Sequence, residues 1–240
     1  MKNLIFYSLI LVLAFSCKHD HKHKHQDLES GGHEHHHHHG SHHHHGEANE
    51  YMNQSEFEDL VNRFESAERD EYQKPYEVIK LMGDITNMDV MEIGSGTGYF
   101  SFKLQEKGAR VIAADVDERF QLYIQQKRDS LGISPEELSL RKVPYDSPNL
   151  KDGEIDWALI VNTYHHIEDR KEYLKKIKKG LKEGGRLMVV DFFKKETPVG
   201  PPVEMKLSYI KVKNEMQDAG FTNVVVNSEL LPYQYIVIAD

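Results

Sequence analysis

Three glycines at alternate positions, Gly94, Gly96 and Gly98, stand directly after the mostly apolar run Val90-Met91-Glu92-Ile93. Val and Ile favour a strand, and glycines behind them allow a tight turn with a bare backbone. A helical pattern opens at Tyr99. The order strand, glycine turn, helix leaves amide N–H groups at the helix start free to meet a ligand. In α/β sheets such a turn lies at the carboxyl edge of the strands, where ligands bind. This one motif therefore constrains both the fold and the place to look for a site.

The residues around it keep the same alternation. Strand patterns cover 90–93, 110–114, 138–143, 156–161 and 186–192, with helical patterns at 99–107, 118–131 and 169–181 between them. In the last helix Tyr173, Leu174, Ile177 and Leu181 share one face, and Gly108, Gly132 and Gly184 stand where C-terminal caps belong. Alternating strands and helices predict an α/β fold, a parallel sheet covered on both faces. Two more β-rich runs, 224–227 and 235–239, follow a helix that ends near Ala219-Gly220. Ahead of the sheet, Ser55 and Glu58 form a capping-box pattern, with Phe57, Leu60, Val61 and Phe64 on one helical face. Pro75 suits the first turn of a second helix, with Val78, Ile79 and Met82 turned inward.

The glycine spacing argues against a dinucleotide. Such folds use Gly-x-Gly-x-x-Gly, whereas here the third glycine comes one residue early and Tyr99 fills the later slot. Glu92-x-Gly94-x-Gly96-x-Gly98 instead resembles the first motif of the class I S-adenosylmethionine-dependent methyltransferases. Leu181-Lys182-Glu183-Gly184-Gly185 leading to Asp191-Phe192 resembles that family's late Gly-Gly turn and fifth strand. Glu215-Met216-Gln217-Asp218-Ala219-Gly220-Phe221 resembles its final helix and Gly-Phe turn. The resemblance runs from about Gln73 to Asp240 and implies a Rossmann-like, seven-stranded, mostly parallel sheet with helices on both faces.

The same resemblance implies site residues. S-adenosyl-L-methionine would lie on Glu92, Gly94, Gly96 and Gly98, and Asp115, seventeen residues past Gly98, would accept from both ribose hydroxyls. Asp117 is the nearby competitor, and either acid could instead cap the next helix. The family's third strand usually ends in an Asp near the adenine amino group. Here the ending is Val143-Pro144-Tyr145-Asp146, so Asp146 takes that role from a shifted position, or Tyr145 and the backbone do. Asn162 opens the tip of the fourth strand, which runs on through Thr163, Tyr164, His165 and His166 beside the methyl group.

Methyl transfer from a sulfonium is a displacement at carbon, so the protein must align the partners and remove a proton where the acceptor carries one. His165 and His166 are the body's two histidines, and imidazole suits proton transfer near neutral pH. Relatives resembling the quinone-biosynthesis type carry a histidine matching His166, often structural, which makes His165 the better candidate base. Satisfied structural histidines are the alternative for either one. Gln73 or Lys74 could meet the methionine carboxylate, and Asp191-Phe192-Phe193 with Pro198 to Pro202 could cover an acceptor. The aromatic and proline content there suggests a small-molecule acceptor. With a net charge of −9 the chain has no basic face of the kind nucleic acid requires. Its single cysteine, Cys17, rules out an internal disulfide and a cysteine nucleophile in the body, and it argues against a metalloid acceptor.

The first part of the chain reads differently. Residues 1–17 show one lysine, about a dozen mostly apolar residues, then Ala14-Phe15-Ser16-Cys17, the layout of a signal peptide. The cysteine placement resembles a bacterial lipoprotein site, in which Cys17 would carry a lipid and anchor the chain in the cell envelope. An uncleaved anchor and an ordinary secretory signal are the alternatives. Residues 18–54 hold fourteen of the sixteen histidines and almost no apolar side chains, the composition of a disordered tether. His35, His36, His37, His38, His39, His42, His43, His44 and His45 could gather a Zn or Ni ion in an exchangeable site, or the tract could be a solvated spacer. That leaves residues 55–240 as a single methyltransferase domain. Because S-adenosylmethionine is made inside cells, three arrangements reconcile such a domain with a leader. The domain faces the cytoplasm, the cofactor reaches the envelope, or the body is a non-catalytic scaffold in a metal-binding lipoprotein.

Overall fold

The computed structural model describes Asn49 and residues 55–240. The leader, Cys17, and the tether with its histidine cluster at 35–45 lie outside the described residues. Among the described residues no helix is long and apolar enough to cross a membrane.

Within residues 55–240 three short helices come first: α1 (Phe57–Phe64), α2 (Ala67–Gln73) and α3 (Pro75–Lys80). The expected capping box at Ser55 is not what begins α1. Its N-cap is Glu56, which makes no side-chain cap bond, and Glu58 and Asp59 in the first turn meet the positive end of the helix instead. Pro75 does open a helix, where its missing N–H costs nothing.

The sheet follows as β1 (Asp89–Ile93), α4 (Tyr99–Glu106), β2 (Arg110–Asp115), α5 (Glu118–Ser130), β3 (Leu138–Lys142), β4 (Ile155–Val161), α6 (Arg170–Gly180), β5 (Leu181–Phe192), α7 (Tyr209–Asp218), β6 (Val225–Asn227) and β7 (Gln234–Ala239). Its seven strands lie in the order β3-β2-β1-β4-β5-β7-β6. The first five are parallel, while β7 runs antiparallel to β5 and β6 antiparallel to β7. The α/β class and the mostly parallel seven-stranded sheet are as expected.

Each face of the sheet has its own apolar layer. Val78 and Ile79 of α3, Phe100 and Leu104 of α4 and Ile124 of α5 cover Val90, Leu159 and Val190 on one face. Tyr173, Leu174 and Ile177 of α6 and Val212 and Met216 of α7 cover Met91, Ile160 and Val189 on the other. The central strands are thus buried on both sides, which is why they read as nearly unbroken apolar runs.

One expected cap moves. α6 ends at Gly180, and Leu181 is already extended. Gly184 instead lies within β5, at φ 74°, where the register against β4 slips between Ile155 and Trp157. A side chain on the adjoining Gly185 would come within 2.9 Å of the Lys182 carbonyl, so the pair makes a bulge rather than a helix stop.

This topology fixes the site. β1 has β2 on one side and β4 on the other, so the connections leaving it diverge. In open α/β sheets ligands bind at such a switch point, beyond the carboxyl ends of the strands.

Candidate functional site

β1 delivers Gly94 to that edge. A Cβ on Gly94 would lie 2.3 Å from Thr163 Oγ1, so only glycine lets the turn pass the tip of β4. Gly94 N and Ser95 N both donate to the Ala114 carbonyl at 2.8 and 3.0 Å, tying the turn to the end of β2. The next residue of β2, Asp115, is 7% exposed. Its Oδ2 accepts from Gly96 N at 2.8 Å and its Oδ1 from Asp117 N at 2.9 Å. Burial is the main cause that lifts its carboxyl to about 6, against the lowering pull of those amides. Asp117 is the residue that caps α5, accepting from Arg119 N and pairing with the Arg119 guanidinium. Of the two acids, Asp117 is therefore the one that caps the helix.

Within the turn, Ser95 Oγ and Thr97 Oγ1 are buried and have no hydrogen-bond partner. Buried hydroxyls without partners are rare and costly, and two in one turn mark a place that expects a polar ligand. Beneath them Glu92 is buried and accepts from Ser101 Oγ at 2.5 Å. Burial pushes its carboxyl up to about 7, and the neighbouring Arg69 guanidinium pulls the other way.

Helices α1 and α2 fold over this turn. The Phe64 ring lies 3.3 Å from where a Gly96 side chain would start and stacks on Phe120 at 5.7 Å. Arg69 sits over the Tyr99 ring at 4.0 Å and donates to Gln73 Oε1 at 2.6 Å. Gln73 is fully buried and donates to Gln234 Oε1 at 2.9 Å; Gln234 donates in turn to Asn162 Oδ1. Asn162 itself is held at φ 56°.

Past Asn162 the chain makes a short 3-10 turn over Tyr164–His166. His165 turns its Nδ1 to Asp191 at the end of β5, 2.9 Å from Oδ2 and 3.1 Å from Oδ1. The two side chains are 4% and 0% exposed, and Asp191 Oδ1 also accepts from Phe192 N at 2.8 Å. A carboxylate facing Nδ1 makes that nitrogen the donor, which leaves the lone pair on Nε2. The His166 ring lies on the His165 ring at 4.3 Å, and its own Nδ1 faces Asn49 Oδ1 at 3.1 Å.

Not every expected residue joins this group. The Asp146 side chain is 79% exposed and points to Lys176 at 3.7 Å. Lys74 reaches outward to the Leu230 carbonyl at 3.2 Å. Glu92, Gly94, Gly96, Gly98, Asp115, Asn162, His165 and His166 do gather along the ends of β1, β2 and β4.

Residues 91–189 match the family model described as a methyltransferase domain. The chain carries an S-adenosylmethionine-dependent methyltransferase domain. An uncharacterized methyltransferase of Staphylococcus carnosus is 23% identical over 184 residues, covering 75% of this chain and 80% of that one. A probable S-adenosylmethionine-dependent methyltransferase of Mycobacterium tuberculosis is 24% identical over 153 residues, and the match spans about half of its length, 53%. Among solved structures, a SAM-dependent methyltransferase from Aquifex aeolicus superposes with a TM-score of 0.69 at 26% identity, over 78% of this chain and 98% of that one.

The methyltransferase site fits its cofactor on its own chemistry. Ser95 Oγ and Thr97 Oγ1 are orphaned donors beside a bare turn, and Asp115 is a buried acceptor within reach of the same turn. Reading the sequence missed several of its parts. Asp191 was read only as part of a segment that could cover an acceptor, not as the partner of His165, and Ser95 and Thr97 were polar residues between glycines. Asn49 and Gln234 carried no signal, since each meets its partner only through the tertiary fold.

Proposed function

We propose that the domain methylates a small acceptor that carries an ionisable O–H or N–H, and that His165 takes its proton. The observation that carries this reading is the buried His165–Asp191 couple, 2.9 Å apart, at the ends of β4 and β5. Thr163, two residues earlier, touches Gly94 of the cofactor turn, so the couple borders the cradle.

Gly94, Gly96 and Gly98 would bring bare backbone to the cofactor, while the Ser95 and Thr97 hydroxyls would give its polar groups partners. Asp115 would accept from the ribose hydroxyls. Glu92 underpins the turn through Ser101 and sits beside Arg69, and Asn162 would close the wall between turn and acceptor. The bound cofactor supplies a methyl group on a sulfonium, an electrophile that needs no further activation. Nε2 of His165 collects the acceptor proton, and Asp191 stabilises the imidazolium that results. The adenine would lie toward the end of β3, where Tyr145 and the main chain are better placed than the outward-turned Asp146.

The leader adds a location to the proposal: lipid on Cys17 would tether the domain to the membrane of the cell envelope. Loss of palmitate incorporation in C17A is the expected result, and equal incorporation would leave the anchor unsupported.

To test the activity, residues 18–240 are incubated with S-adenosylmethionine and a panel of hydroxylated and amino acceptors while S-adenosylhomocysteine release is followed. Turnover with an acceptor, lost in H165A, is expected. Release from acceptors without an exchangeable proton, undiminished in H165A, would remove His165 from the chemistry.

A further inference from the structure

Asn49 stands six residues ahead of the domain that the sequence delimits, yet it is 7% exposed and pairs twice with His166, 117 positions away. Its Nδ2 donates to the His166 carbonyl at 3.2 Å and its Oδ1 faces the His166 Nδ1 at 3.1 Å. A carbonyl only accepts, so it fixes which end of the amide is the NH2 and which is the oxygen. The opposite orientation would set two acceptor oxygens against each other. The oxygen therefore meets Nδ1, and the proton of a neutral His166 ring must lie on that nitrogen. The lone pair is left on Nε2.

His165 has the same arrangement with Asp191 in the place of Asn49. The two rings lie 4.3 Å apart at 36°. They differ in the charge of the partner that holds them. Asp191 is an anion and stabilises an imidazolium; an asparagine amide is neutral and does not. Among the described residues, the groups facing His166 are His165 on its own turn, Asp191 from β5 and Asn49. Arg170 and Glu215 pair with each other and with Tyr164 beside them. Burial pushes the His166 imidazole down to about 3, and the neighbouring His165 pushes the same way.

We infer that Asn49 is a positioning residue of the acceptor site, holding His166 as a neutral Nδ1–H ring packed against His165 so that the pair takes up one proton, on His165. Two histidines in contact would otherwise compete for that proton, because each protonation disfavours the other. With Asn49 in place the segment before the sheet becomes part of the site, and the functional domain begins before Ser55. The inference rests on His165 being the base, but the tautomer of His166 does not.

The test is imidazole NMR on the chain from residue 18, isotopically labelled at histidine, with H165A and H166A used to assign the two ring signals. His166 in the native chain should show the Nδ1–H pattern and no titration between pH 5 and 8. In N49A it should lose that pattern and begin to titrate, and a second ionisation should enter the acid limb of the kcat–pH profile. N49Q, which keeps the amide, should restore part of the native behaviour. Should N49A fold poorly, N49D is read instead. Its carboxylate keeps the shape, supplies a charge and should raise the His166 midpoint. An Nε2–H tautomer in the native chain, or His166 titrating alike in native chain and variants, overturns the role of Asn49. A native His166 pattern together with full H165A activity would instead refute His165 as the base.

Discussion

Asp115 Oδ2 accepts from the Gly96 amide at 2.8 Å, so the carboxylate at the tip of β2 holds the glycine turn at the tip of β1. Its other oxygen accepts from Asp117 N at 2.9 Å. The Val116 backbone also lends this carboxyl a hydrogen bond. A carboxylate has about four lone-pair sites, so these amides still leave it room to accept from a ligand hydroxyl.

Replacing Asp115 by Asn puts an NH2 where one of these backbone donors needs an acceptor, and Ala removes both acceptors. Either variant should lose about 1–3 kcal/mol of affinity for S-adenosylhomocysteine, the scale of a charge-assisted hydrogen bond. Titration calorimetry reads this directly. Affinity unchanged in both variants would move the ribose elsewhere.

The same carboxyl makes cofactor binding depend on pH. Burial holds it at about 6, and the proposed ribose hydroxyls would donate to its ionised form. Affinity should therefore be level above pH 6 and fall as pH drops through that value, approaching about tenfold per unit. D115N should bind weakly and show no such limb.

Glu92 sets a second pH dependence, this time in stability. Its folded value of about 7 exceeds the ordinary 4.5, so the folded state binds the extra proton between those limits. The resulting stability is present at low pH and is lost as pH rises through 7. His166, pushed down to about 3, works in the opposite direction over part of the same range, so the informative quantity is the difference from E92Q. E92Q should gain on the native chain between pH 5 and pH 8 by on the order of 1–3 kcal/mol, a few degrees in Tm. Parallel melting curves would mean that Glu92 does not titrate there.

For the chemistry, H165A should lower kcat by about 10²–10⁴, the usual worth of a general base, with cofactor affinity nearly unchanged. D191N should lower kcat too, because an amide holds the ring but does not stabilise its charge. If kcat survives in H165A, the acceptor's proton leaves by another route.

G94A tests the meeting of β1 and β4. The new methyl would lie 2.3 Å from Thr163 Oγ1, on a backbone at φ 75°. Thermal unfolding should show a loss of about 1–3 kcal/mol or more, and cofactor binding should go with it. A native Tm would mean that the turn has room to shift.

The sheet and the glycine turn at its edge could be read from the sequence because their signals are local. Val90 to Ile93, the glycines after them and Asp115 each act within one strand–turn–helix unit. Where local rules failed, a tertiary contact had taken over: Gly184 serves a slip in register between β4 and β5, and α1 starts at an uncapped Glu56. The acceptor side was only half legible. His165 was found as one of two body histidines, but its partner Asp191 and the Asn49 that holds His166 lie 26 and 117 residues from their partners. No spacing rule links positions that far apart.

On the proposed reading, the bare turn at Gly94, Gly96 and Gly98, with Asp115 beside it, holds the adenosyl cofactor. Titrating S-adenosylhomocysteine into residues 18–240 at pH 7.5, alongside D115A, measures this most directly. Saturable one-to-one binding that is weakened at least fivefold in D115A is the predicted outcome, corresponding to about 1 kcal/mol or more. A folded, cooperatively melting protein that gives no heat with this ligand, or binds it equally well without Asp115, would place the cofactor elsewhere or remove it.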